Sequence, residues 1–240
     1  MKRLLFATVA LIIVAAVTYF TLGSKPEMSP EVLKKMKLIS RFKEILPKAE
    51  AGSAADQYKV AIMYETGDGT RKDPGEAIKW LMKAAEQGHA DARYKLGMAY
   101  ANGKMVRQDY FMAAKYYRLA ATFNNHPEAQ YRLGELHFNG RGVDHDYNKA
   151  TKYYQQAASK GHGPAQYILS SMYEEGWGIK RDLIKAYIWM KLAVNKRDEV
   201  LAENKKYDPV KKMKNLVKKM NRFQMEEAEK QLKKMANGAK

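Results

Sequence analysis

The sequence predicts an all-α chain: an α-solenoid of four helical hairpins with capping helices at both ends, preceded by a membrane segment. Three observations carry this reading. Tyr58, Tyr94, Tyr131 and Tyr167 stand 36, 37 and 36 residues apart, and Gly67, Gly103, Gly140 and Gly176 keep the same intervals. A fixed period of that length marks a supersecondary unit used repeatedly. Inside each period the apolar residues follow helical spacing. Ahead of the repeats, residues 4–22 carry no charge, a length that crosses most of a ~30 Å hydrocarbon layer at ~1.5 Å per residue.

Composition narrows the partners. The 240 residues are 46% hydrophobic and 29% charged, ordinary for folded protein, and 43 Lys and Arg against 26 Asp and Glu give a net charge of +17. Such a balance favours anionic surfaces. The absence of cysteine excludes disulfides, thiolate metal sites, cysteine nucleophiles and lipidation on cysteine.

Residues 1–23 open with Lys2 and Arg3 and then the apolar run. Val14-Ala15-Ala16 would serve as a signal-peptide cleavage site, but apolar residues continue through Val17 and Phe20, so an uncleaved anchor is expected. The short basic start favours keeping the N-terminus inside and the repeats outside the cytoplasm, against competition from Lys25, Lys34, Lys35, Lys37 and Arg41. Residues 24–53 form a linker and an N-terminal cap. Ser29-Pro30-Glu31 reads as an N-cap and first turn of a helix through Leu46, after which "PKAEAGS" imitates the end of a repeat.

Residues 54–195 hold four units, 54–89, 90–126, 127–162 and 163–195. The extra residue of the second lies in "TFNNHPEA", a loop where an insertion is best tolerated. In each unit a helix A carries an aromatic and aliphatic face beside a small residue, Ala61, Gly97, Gly134 or Ser170, where a second helix must pass close. A glycine loop then leads to Asp73, Asp109, Asp146 or Asp182, each read as the N-cap of helix B. Asp73-Pro74-Gly75-Glu76 is the fullest case, with proline at the first helical position and glutamate three residues after the cap. Helix B ends at Gly88 or Gly161 in a left-handed turn. Two such helices cannot bury their faces alone, so stacking into a continuous core explains the period. Residues 196–240 supply two basic amphipathic capping helices, one from Asp208-Pro209 and one from Asn221-x-x-Gln224.

The recurring Tyr-x-Leu-Gly-x-x-Tyr-x-x-Gly-x-Gly, the aspartate, Lys-Ala-x-x-Tyr/Trp-Tyr and Ala-Ala-x-x-Gly-His resemble the Sel1-like repeat, a relative of the tetratricopeptide repeat, over residues 48–195. Met105 in place of the second loop glycine, His137 in place of the second tyrosine and Asp56 before Tyr58 depart from the pattern. The resemblance implies a right-handed α-superhelix that holds partner proteins, in bacteria often in the envelope. It therefore implies a single-pass inner-membrane protein with its repeats in the periplasm, or a periplasmic protein after signal cleavage.

Candidate chemistry is sparse. His89, His126 and His162 occupy the same turn of successive units; packed helices lie about 8–10 Å apart, too far for shared zinc ligands at ~2.1 Å, so a structural role is expected. His137 is read as packing. Ser40-Arg41-Phe42-Lys43 fits the Ser-x-x-Lys of β-lactamases, an activity proposed for some cysteine-rich members of the family, yet no Ser-Asp-Asn or Lys-Thr-Gly accompanies it. The glycine loops lack the Lys-Ser/Thr ending of a phosphate loop. No catalytic residue, cofactor or metal is expected, and β-lactam or peptidoglycan hydrolysis stands as the lesser alternative.

What the residues do supply is ladders. After the first tyrosine of helix A come Lys59, Lys95, Arg132 and Ile168; three places on come Ile62, Met98, Glu135 and Ser171, then Glu65, Ala101, Phe138 and Glu174. In the family helix A usually lines the concave side, so Lys59, Ile62, Lys95, Met98, Arg132, Glu135, Phe138 and Ile168 are the expected partner-binding residues. The partner so implied is an envelope protein or an acidic peptide segment with apolar anchors. Helix B carries Lys79, Lys115 and Lys152 in register too, a reminder that solvated helix faces produce such rows. Eight basic residues and one acidic between Lys205 and Arg222 suit anionic glycan or lipid head groups as the alternative ligand. No nucleic acid is expected of an exported domain.

Overall fold

The computed structural model describes residues 28–238, and every regular element among them is a helix. The expected membrane segment, residues 4–22, lies outside the described residues; no helix among them is long and apolar enough to cross a membrane. Helix α1 (Pro30–Glu50) precedes four hairpins, α2 (Ala54–Thr66) with α3 (Pro74–Glu86), α4 (Ala90–Asn102) with α5 (Tyr110–Phe123), α6 (Pro127–Asn139) with α7 (Tyr147–Ser159), and α8 (Gly163–Glu175) with α9 (Leu183–Asn195). Three further helices follow: α10 (Arg197–Glu203), α11 (Pro209–Val217) and α12 (Arg222–Gly238). From α1 to α9 each helix packs on its chain neighbours.

The caps form where the aspartates recur. Each side chain of Asp73, Asp109, Asp146 and Asp182 accepts the amide three residues on at 2.9–3.0 Å. Each backbone N–H donates to the carbonyl of Tyr64, Tyr100, His137 or Tyr173 at 2.9–3.0 Å. That second bond pre-empts the reciprocal capping box expected at Asp73 and Glu76, and the Glu76 carboxylate instead pairs with Lys79 at 2.7 Å. The full box does form at Asn221 and Gln224, whose side chains accept each other's backbone N–H at 2.9 and 3.0 Å.

The small residues of helix A meet a ring. A Cβ on Gly97 would lie 2.4 Å from Tyr117, and one on Gly134 would lie 2.9 Å from Tyr154. Where helix A carries Ala61 or Ser170, the tyrosine's place on helix B is taken by Leu81 or Met190, all four wholly buried. Volume is thus traded across each hairpin, as close packing requires. The buried interior falls into three clusters, one from Ile45 to Ala99, one from Ala113 to Leu136 and one from Tyr131 to Ala228. The expected continuity is supplied by partly buried rings: Tyr116 packs back on the first cluster, and Tyr94 and Tyr153 pack on the second.

Helix α1 plays the part of a helix B. Gln57 Nε2 donates to the Ala49 carbonyl at 3.1 Å, as Gln130 and Gln166 do to Ala121 and Ala158 at 3.3 and 3.1 Å. The helix does not stop near Leu46 but runs through Pro47. The proline removes one backbone bond, while Ile45 and Ala49, buried against the first unit, hold the last turn. At the other end α11 and α12 pack on α9, burying Leu216 and Ala228 completely. Short α10, which the sequence reading missed, packs on α8 instead.

Candidate interaction surface

The expected contact surface is the side of the array built from helices A. Helix α4 touches α6, two helices A of successive units, and no two helices B of the described residues make a contact of that extent. That one contact agrees with helices A lining the concave side.

The expected ladder lies on this side, but its cations are already occupied. Lys59 pairs with Asp56 at 2.8 Å and Lys95 with Glu65 at 2.9 Å. Arg132 takes Glu135 at 2.8 Å and, bidentately, Glu203 at 2.6 and 2.8 Å. Burial raises the pKa of Glu135, and the Arg132 charge only partly opposes it. Ile62, Met98, Phe138 and Ile168 are half-buried. Ile168 packs on the third cluster, and Tyr207 stacks on the adjacent Tyr167 with ring centroids 4.9 Å apart. The ladder end at Glu174 differs altogether from a contact residue. Its side chain is 2% exposed and ion-paired at 2.6 Å to both Lys212 and Lys219. Burial alone would raise its pKa, but those lysines outweigh it and hold the carboxylate below its usual range.

Two cavities open along the inner side. One of about 280 Å³ lies between α4 and α6, lined among others by Met98, Ala101, Tyr117, Arg132, Glu135 and Arg141. The other, about 400 Å³, lies where the first unit meets the second and is lined by Glu65, Lys72, Pro74, Lys95, Met98, Lys104 and Met105. Its position coincides with the departure from the repeat. Gly142 and Gly178 let their loops fold so tightly onto the preceding unit that a Cβ would lie 2.3 Å from the backbone of Tyr110 or Tyr147. At the same register Met105 lacks the left-handed backbone of those glycines and lines the cavity together with Pro74, which stands in the tyrosine's place. Its Cβ cannot approach so closely, so the junction stays open over an apolar floor. Lys72 and Lys104 are exposed at this cavity and make no ion pair among the described residues.

The three repeated histidines are structural. Their Nδ1 atoms accept the amides of Ala92, Ala129 and Ala165 at 3.1–3.3 Å, capping each helix A. Their rings pack on Tyr58, Tyr94 and Tyr131 of the helix A preceding the one each caps, at centroid distances of 4.7–4.8 Å. Tyr207 does the same for Tyr167. His137 stacks on Tyr153 as Tyr100 does on Tyr116, both at 5.7 Å. Among the described residues no group of three His, Asp or Glu side chains is placed to hold a metal ion. Ser40 and Lys43 are exposed on α1 and line neither cavity. Sequence reasoning missed Lys72 and Lys104, whose only signal was a neighbouring break in the repeat, and Glu203, which had none.

The Sel1 repeat family model matches residues 54–89, 90–122, 127–162 and 163–198. A crystal structure of a protective antigen present in uropathogenic Escherichia coli strains, displaying an SLR fold, is 36% identical, with a TM-score of 0.63 over 65% of this chain and 33% of that one. The crystal structure of a Sel1 repeat protein from Oxalobacter formigenes is 35% identical, with a TM-score of 0.61 over 66% of this chain and 62% of that one. The chain therefore spans a third of the first and under two thirds of the second. The comparison with curated proteins returns no match.

Proposed function

The chain belongs to the Sel1 repeat family, and we propose that it is a membrane-tethered, non-enzymatic adaptor whose concave helix-A face binds an acidic, apolar-anchored segment of a bacterial cell-envelope protein. Sel1 repeats generally mediate protein–protein interaction. The observation that carries the finer reading is the open junction between the first two units. Met98, Met105 and Pro74 provide an apolar floor, and Lys72, Lys95 and Lys104 stand against the single acid Glu65. Apolar anchors supply most of the energy of such a contact, and surrounding charges select the partner and speed its approach. The uncharged run of residues 4–22 motivates the tether.

Lys72→Glu with Lys104→Glu tests the site, because neither lysine holds the fold together. Co-purification from detergent-solubilised membranes is expected to lose the partner in this variant, and also in Lys59→Glu/Lys95→Glu/Arg132→Glu. Unchanged recovery in the first variant overturns the reading. A reporter fused after Lys240 that is active only outside the cytoplasm tests the orientation.

A second reading, binding of anionic glycan or lipid during exopolysaccharide or cell-wall assembly, draws on the C-terminal cap, where Lys205, Lys206, Lys211, Lys214 and Lys218 are all exposed. Binding through such charges weakens steadily as salt rises, whereas an apolar-anchored protein contact persists.

A further inference from the structure

Residues 196–208 break the rhythm of the array. Elsewhere a helix B passes to the next helix A in a short turn, three residues from α3 to α4 and three from α7 to α8. From α9 to α11 the chain makes a detour long enough to hold α10, which packs on α8 at the inner face. From there Glu203 reaches the third unit and takes Arg132 in two hydrogen bonds of 2.6 and 2.8 Å. Arg132 stands at the ladder position of Lys59 and Lys95 and lines the cavity between α4 and α6.

We propose that Glu203 is an internal ligand of the concave face, displaced when a partner's carboxylate takes Arg132 from it. The inference rests on the groove being the binding surface and assigns its regulation. Arg132 also holds Glu135 at 2.8 Å, so a second carboxylate stands beside the guanidinium when Glu203 is released. Exchanging one carboxylate for another on the same fork conserves the charge-assisted bonds, and displacement then costs only the packing of the α10 tip. That packing is light between Val200 and Tyr207. Val200 is wholly buried, whereas Ala202, Lys205 and Lys206 are exposed and Glu203 is 23% exposed. The segment is therefore anchored at Val200 and again at Tyr207, which stacks on Tyr167 at 4.9 Å, and only the stretch between them has to move. A segment lying along Met98 and Ala101 meets Glu203 as it extends toward the fourth unit, so the partner has to carry an acid there to continue.

Fluorescence polarisation with a labelled Leu-Glu-Glu-Leu-Glu-Glu-Leu peptide, on the full chain in detergent, tests this. Glu203→Ala is expected to bind the peptide about tenfold tighter than the wild type, and Lys72→Glu/Lys104→Glu is expected to bind it more weakly. Hydrogen exchange on Glu203→Ala should show faster exchange confined to residues 201–207 with α6 and α8 still protected, which separates release of the tip from unfolding. Equal affinity for wild type and Glu203→Ala, with the double lysine variant weakened, overturns the internal ligand and leaves the groove standing. No binding to Glu203→Ala at millimolar peptide overturns both.

Discussion

The ring of Tyr117 on α5 rests against Gly97 of α4, so near that a Cβ on the glycine would fall 2.4 Å from the ring. A small residue on helix A thereby makes room for a large one on helix B. Gly97→Ala is expected to destabilise the protein by about 1–3 kcal/mol through overpacking. Adding Tyr117→Leu should recover most of that loss, since it recreates the Ala61 and Leu81 pairing of the first unit. Urea unfolding of the two variants decides it.

The His162 cap makes stability depend on pH. Burial lowers the pKa of His162, whose Nδ1 accepts the Ala165 amide at 3.1 Å and loses that capacity when protonated. A folded pKa below the unfolded value of about 6.5 means a contribution fully present above that pH and lost as pH falls through the folded value. The thermal midpoint is expected to drop between pH 7.5 and 5.5. His162→Asn, which caps without titrating, should show a smaller drop, measured by circular dichroism.

Glu174 locks the C-terminal helices to the fourth unit through Lys212 and Lys219. Glu174→Gln removes the charge from both bonds and is expected to cost about 1–3 kcal/mol. Hydrogen exchange should rise along α11 and α12 and stay unchanged in α2 to α6. The carboxylate's pKa is held down, so its contribution is present above the unfolded value of about 4.3 and vanishes as pH falls through the folded one.

Met105→Gly restores the residue of the other loops and takes away one wall of the cavity at the first junction. The glycine costs about 0.5–1 kcal/mol in chain entropy, so the unfolding midpoint should move little. Binding of the acidic peptide should weaken several-fold, and a polarisation titration beside a melting curve separates the two effects.

Much of this architecture could be read from residue order. The recurrence of Tyr58, Tyr94, Tyr131 and Tyr167 and of the capping aspartates declares hairpins in series, because each unit meets mainly its neighbours and neighbours of like structure impose like residues. The structural roles of His89, His126 and His162 followed from the same reasoning. Pairings made once leave no such trace. Glu203 meets Arg132 across 71 residues and Glu174 meets Lys219 across 45, each an ordinary acid in an ordinary helix.

By itself, then, the sequence determined the period, the paired helices of each repeat and the aspartate caps of the helices B, since these depend on local geometry and on contacts that repeat. Only the tertiary structure decided which cations of the inner face are already neutralised, where the face stays open and which part the chain covers with its own α10. Those outcomes turn on distances between residues far apart in the chain, and no spacing along a polypeptide encodes a distance that occurs a single time.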